Sequence, residues 1–132
     1  MARTLIKNAR LVSDGRTLDG DLLMEGERIA RAGGEIPAGD AEVIDARGLF
    51  LLPGMIDDQV HFREPGLTHK ADLVTESRAA VAGGITSFMD MPNTQPQTVT
   101  LQALEAKYGL AAGRAWGNYA FYLGATNDNI EE

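Results

Sequence analysis

A chain of 132 residues is long enough for one ordinary domain with a sizeable core. Its 44% hydrophobic and 23% charged residues are those of a soluble globular protein, and twelve Lys plus Arg against nineteen Asp plus Glu give a net charge of −7. That balance argues against nucleic acid or an anionic membrane as the main partner and leaves a small molecule. The absence of cysteine excludes disulfides and thiolate metal sites, so a transition metal would have to be held by His and carboxylates. The opening MARTLIKNARLVSDG lacks the apolar stretch of a signal peptide, and no run approaches the roughly 20 residues of a membrane span. The expected location is the cytoplasm.

In chain order, residues 1–52 predict a small antiparallel β domain. Thr4 to Val12, Asp21 to Met24, Arg28 to Ala32 and Glu42 to Asp45 are short apolar-bearing runs. They are separated by Ser13-Asp14-Gly15, Glu25-Gly26-Glu27 and Pro37-Ala38-Gly39-Asp40, with Gly26 as a hairpin tip.

The next stretch, Leu51 to Gly66, reads LLPGMIDDQVHFREPG. An apolar run gives way to Asp57, Gln59, His61 and Arg63 at every second position. On one extended strand these four side chains would share a face. An acid, an amide, an imidazole and a guanidinium together at a strand's carboxyl end form a site rather than a core. Open α/β sheets and α/β barrels keep their chemistry there. Glu64-Pro65-Gly66 then stops the strand.

From here strand and helix alternate. Leu73, Val74, Ser77, Ala80 and Val81 fall on one helical stripe that Gly83-Gly84 should end. Ile85 to Met91 predicts a second buried strand, ended by Pro92-Asn93-Thr94. A second helix should start after the cap Thr100, with Leu101, Leu104, Tyr108 and Ala111 inward, and end near Gly113. Ala115 to Leu123 predicts a third strand, whose Trp116, Tyr119, Phe121 and Tyr122 are expected in the core. The fold class is therefore α/β, the start of a (β/α)8 barrel over 53–132 with about three strands and two helices, after the β domain. Three such strands leave open edges and helices over only part of the sheet, so this looks like the front portion of something larger.

Three motifs in order, LLPGMIDDQVHFREPG, AGGIT followed by DMPNT, and YLGATND, resemble the dihydroorotases, cyclic amide hydrolases of the amidohydrolase superfamily. The resemblance runs over the whole chain, because that superfamily also begins with a small β domain before its barrel. It implies a metal-dependent hydrolase, normally holding one or two zinc ions, that interconverts N-carbamoyl-aspartate and dihydroorotate in pyrimidine synthesis. His61 then corresponds to the second histidine of the family's D-x-H-x-H strand, a metal ligand. Arg63 corresponds to the arginine that grips the substrate carboxylate, and Asn93 to the asparagine that helps it. Asp57 stands at the motif's acidic position, where it could orient a ligand from behind.

The chemistry suits these roles. Neutral imidazole is a common zinc ligand, and a guanidinium pairs bidentately with a planar carboxylate. A metal polarises the carbonyl and activates water at neutral pH. One departure is Gln59, which stands where the family has its first histidine, and an amide oxygen is a weak zinc ligand beside imidazole. The family's remaining ligands and its general acid/base lie after the third strand, so no catalytic residue is expected here and the zinc site would be completed from outside this chain. The chain alone is expected to be inactive.

The implied partners are the small-molecule substrate, the rest of the barrel and copies of the protein itself. Alternatives are an allantoinase or hydantoinase-type cyclic amidase, and a non-catalytic dihydroorotase-like subunit kept for assembly, for example with an aspartate transcarbamoylase. Plainer roles stand beside each assignment: His61 as an ordinary strand residue, Arg63 in a surface pair with Glu64, Asn93 as a turn residue and Gln59 as filler. His69 is expected at the exposed start of the first helix.

Overall fold

Asp14 and Gly15 both take positive φ, 52° and 70°, which is the conformation a two-residue hairpin loop requires. They join β1 (Arg3–Ser13) to β2 (Arg16–Glu25), and β2 continues antiparallel into β3 (Arg28–Ala32). A computed structural model describes residues 1–131. These divide into two compact units, Met1–Pro53 and the chain from Gly54 onward.

The first unit is a mixed sheet, which corrects the expectation of antiparallel pairing throughout. After Pro37–Asp40 the chain crosses to the free edge of β1. There β4 (Glu42–Asp45) and β5 (Phe50–Leu51) pair with it in parallel. Leu5, Leu23 and Ile36 form the core of this unit.

Asp21, 3% exposed, is the polar anchor of that core. Its carboxylate accepts the backbone N–H of Ile36 at 2.8 Å and that of Asn8 at 2.9 Å, where β1 bulges. The Ile36 bond first, then the Asn8 bond, holds the Asp21 carboxyl below the usual carboxylate range. A depressed acid stabilises the fold fully above its unfolded value of roughly 3.9 and loses that contribution as pH falls through the folded value. Asp21→Ala, which orphans two buried N–H groups, is therefore expected to cost about 3 kcal/mol at neutral pH in urea melts. The difference from wild type should shrink in strong acid.

The second unit is a parallel βαβαβ arrangement, the opening of a (β/α)8 barrel: β6 (Met55–Val60), α1 (Leu73–Ala82), β7 (Ile85–Asp90), α2 (Leu101–Ala111) and β8 (Asn118–Phe121). Asp72 caps α1, accepting the Thr75 N–H at 2.8 Å, and Gly84 at φ 90° ends it. Thr100 caps α2 by accepting the Ala103 N–H at 3.1 Å. Both helices cover one face of the sheet, where Phe62, Leu73, Phe88, Ala111 and Phe121 are buried together. The other face is open, with Ile56 71% exposed.

Several inward assignments change. In α2, Leu101 stays 49% exposed and Tyr108 40%, the latter with its ring 4.9 Å from that of Phe121, while Lys107 is buried. The third strand is shorter than expected, and Trp116 lies outside it, exposed beneath the Arg78 guanidinium. Tyr119 and Phe121 do join the core. Among the described residues, no helix is long and apolar enough to cross a membrane.

Candidate active site at the strand ends

The polar residues after Ile56 do not lie along one uninterrupted strand. Asp57 Oδ1 accepts the N–H of Gln59, two residues on, at 3.1 Å. The pairing of β6 with β7 slips between Asp57 and Val60, and the strand ends at Val60. A short side chain that captures a nearby backbone donor competes with the ladder in this way. The strict alternation expected as far as Arg63 is thereby lost. Asp57 is half-buried, Gln59 is exposed, and among the described residues no hydrogen bond joins Asp57 to His61.

Beyond β6 the chain packs Phe62 into the helix-side core, its ring centroid 4.6 Å from that of Phe88. The neighbouring His61 is left exposed. His61 Nδ1 lies 2.9 Å from Oδ1 of Asn93, which stands in the loop after β7. With the amide oxygen as acceptor, Nδ1 is the donor, and in the neutral ring of that tautomer Nε2 keeps its lone pair. This is how an imidazole is oriented for a metal: one nitrogen donates to a fixed acceptor and the other faces the ion.

Arg63 sits at φ 68°, in the left-handed region that a non-glycine residue adopts only under constraint. The plainer alternative, a surface pair with Glu64, is not made. Glu64, 7% exposed, instead accepts both Arg114 guanidinium nitrogens, at 2.9 and 3.3 Å, and the N–H of Leu73 at 3.0 Å. The hydrogen bond and charge of Glu64 raise the Arg114 guanidinium above the ordinary arginine value. Glu64 thus ties the Arg63 turn to the start of α1, and among the described residues Arg63 has no carboxylate partner.

The two loops are joined again at Gln95, whose N–H donates to Pro65 O at 3.0 Å. Thr94 Oγ1 donates to Pro96 O at 2.8 Å and shares a contact with Thr98, which closes the loop behind Asn93. His69 is exposed in the turn before α1 and takes no part in the site. An open cavity of about 560 Å³ lies beyond β8, lined by Leu123, Gly124, Thr126 and Asn129 among others, and its lining does not include His61, Arg63 or Asn93.

For a metal, His61 could offer Nε2, and no contact among the described residues brings the Gln59 amide, a weaker donor, to it. Among the described residues no three His, Asp or Glu side chains converge. His61 therefore fits as one member of a larger ligand set. Sequence reading missed Glu64 and Arg114 as the frame of the site. A glutamate beside the Pro-Gly turn looked like turn chemistry, and its partner is 50 residues away.

Comparison with known proteins places these features in a family. Residues 50–131 match the model of the amidohydrolase family. The chain is 50% identical over 94 residues to a dihydroorotase of Streptococcus thermophilus, covering 70% of this chain and 22% of that protein. To a dihydroorotase of Streptococcus pyogenes it is 42% identical over 110 residues, 82% of this chain and 26% of that one. Among solved structures, an L-hydantoinase (dihydropyrimidinase) from Arthrobacter aurescens superposes with a TM-score of 0.90 at 33% identity, over 100% of this chain and 30% of that chain. The chain thus spans about a quarter of the length of the curated relatives it matches. The match over the strand and helix region, together with the agreement of the fold, shows that the chain belongs to the amidohydrolase family.

Proposed function

We propose that the chain works as part of a dihydroorotase, a hydrolase that opens and closes the cyclic amide between dihydroorotate and N-carbamoyl-aspartate. The observation that carries this reading is the meeting of His61 and Asn93 at 2.9 Å beside Arg63. It is supported by the likeness to proteins named dihydroorotase at 42% and 50% identity. Arg63, with no carboxylate partner among the described residues, receives the substrate carboxylate through its planar fork. Asn93 commits its oxygen to His61 and keeps its two amide hydrogens for the same carboxylate. His61 offers Nε2 to zinc. Zinc, when bound, supplies the Lewis acid that polarises the amide carbonyl and activates water. We assign the proton transfers and the other ligands to residues outside this chain.

The test is turnover by the intact protein of dihydroorotate and N-carbamoyl-aspartate beside hydantoin and allantoin. Activity on the carboxylated pair supports the reading, and turnover of allantoin alone contradicts it. A hydantoinase is the second reading, favoured by the structural likeness to the L-hydantoinase. It predicts turnover of hydantoin, which carries no carboxylate for Arg63 to hold.

Gln59 favours a third reading, a non-catalytic subunit. Gln59→His is expected to tighten zinc binding about tenfold, because it replaces an amide oxygen with an imidazole, as a competitive chelator titration would show. A protein inactive with Gln59 and active with His would make the silent reading the right one.

A further inference from the structure

Behind the candidate site lies a buried charge pair that the chemistry above does not use. Asp90 ends β7 at 0% exposure, and Lys107 in α2 is 1% exposed. Lys107 Nζ stands 2.8 Å from Asp90 Oδ2 and 4.9 Å from the centre of the Phe121 ring. Oδ2 is held by charge rather than by a well-directed hydrogen bond, because the contact is close but poorly aligned. The other atoms of the pair reach further. Asp90 Oδ1 accepts the backbone N–H of Phe62 at 2.9 Å, and Lys107 Nζ donates to the backbone oxygen of Met91 at 2.9 Å.

Phe62 lies between His61 and Arg63, and Met91 lies two residues before Asn93. We propose that Asp90 and Lys107 are positioning residues that set the His61–Arg63 segment and the Asn93 loop at a fixed separation. This rests on the reading of those residues as a site. A stabilising role alone does not account for the pair. Around it are Phe62, Phe88 and Phe121, and in such surroundings two well-packed apolar side chains commonly serve stability as well as a buried ion pair does. Apolar side chains cannot hold the N–H of Phe62 and the oxygen of Met91. The pair holds both at once, and each tether runs to the backbone of a site-bearing segment.

The test is the double variant Asp90→Leu/Lys107→Met in the intact protein, which removes both tethers and leaves no buried charge. Amide exchange is read over residues 61–64 and 91–95, with α1 as the internal reference. The expected result is exchange about tenfold faster in both segments, unchanged exchange in α1, and a fall of about tenfold or more in kcat/KM for N-carbamoyl-aspartate. Exchange within about twofold of wild type in both segments would overturn the proposal, as would an equal rise in α1, which marks a general stabiliser. If the double variant does not fold, Asp90→Asn/Lys107→Met, which leaves no buried charge, keeps an acceptor for the Phe62 N–H and removes the Met91 tether, is expected to speed exchange about tenfold in 91–95 alone, and exchange there within about twofold of wild type would overturn the proposal. A wild-type protein without turnover would remove the dihydroorotase reading, and the exchange data would still decide on the pair.

Discussion

Replacing Gly66 by alanine is expected to lower the stability of the second unit by roughly 3 kcal/mol or more and to separate the two site loops. Gly66 has φ 82°, and a Cβ there would collide with the backbone oxygen of Gln95. That oxygen cannot move aside cheaply, because Gln95 N–H is bonded to Pro65 O at 3.0 Å. Gly113 is the matched control: its φ is 70°, and nothing lies within 4 Å of its Cβ position. Gly113→Ala should cost only the left-handed backbone strain of about 1 kcal/mol. Urea melts of the two variants separate strain from collision. Equal losses would show that the loops have room to yield at Gly66.

Arg63→Met should raise KM for N-carbamoyl-aspartate about 100-fold, the scale of two lost charge-assisted hydrogen bonds, with little change in melting temperature. Arg63→Lys should recover only part of the loss, since a point charge does not reproduce the planar fork. Steady-state kinetics with hydantoin as the uncharged comparison substrate checks the assignment. If Arg63→Met weakened both substrates alike, Arg63 would be a structural residue and not the carboxylate grip.

Much of this architecture is readable from local pattern. Asp14-Gly15, Gly83-Gly84 and the cap Thr100 are each dictated by near neighbours, and the elements they bound fall close to where periodicity puts them. Three features were not readable, for physical reasons. Whether β4 joins β1 in parallel depends on which edge the chain returns to, and the loop at Pro37–Asp40 does not encode that. The register slip after Asp57 depends on a side chain choosing the Gln59 N–H over the ladder.

Lys107 was the third. It falls on the same helical stripe as Leu104 and Ala111, where its charge argued for solvent. It is buried because Asp90, 17 residues earlier and also inward, supplies the opposite charge. The signal was an unlike-charge couple at two inward positions, visible only once strand and helix were placed face to face. The site itself was half legible. Arg63 and Asn93 came from motif resemblance, whereas the hydrogen bond between His61 and Asn93 and the brace of Glu64 on Arg114 belong to tertiary structure.

The proposed site turns on the state of one imidazole. Nitrogen-15 spectra of the His61 ring in the intact, metal-free protein report which nitrogen carries the proton. The geometry predicts the proton on Nδ1, facing Asn93, with Nε2 bare and shifted by added zinc, and loss of that preference in Asn93→Ala. A proton on Nε2, or zinc perturbing Nδ1 instead, would contradict the arrangement of ligand and orienting amide on which the proposed site is built.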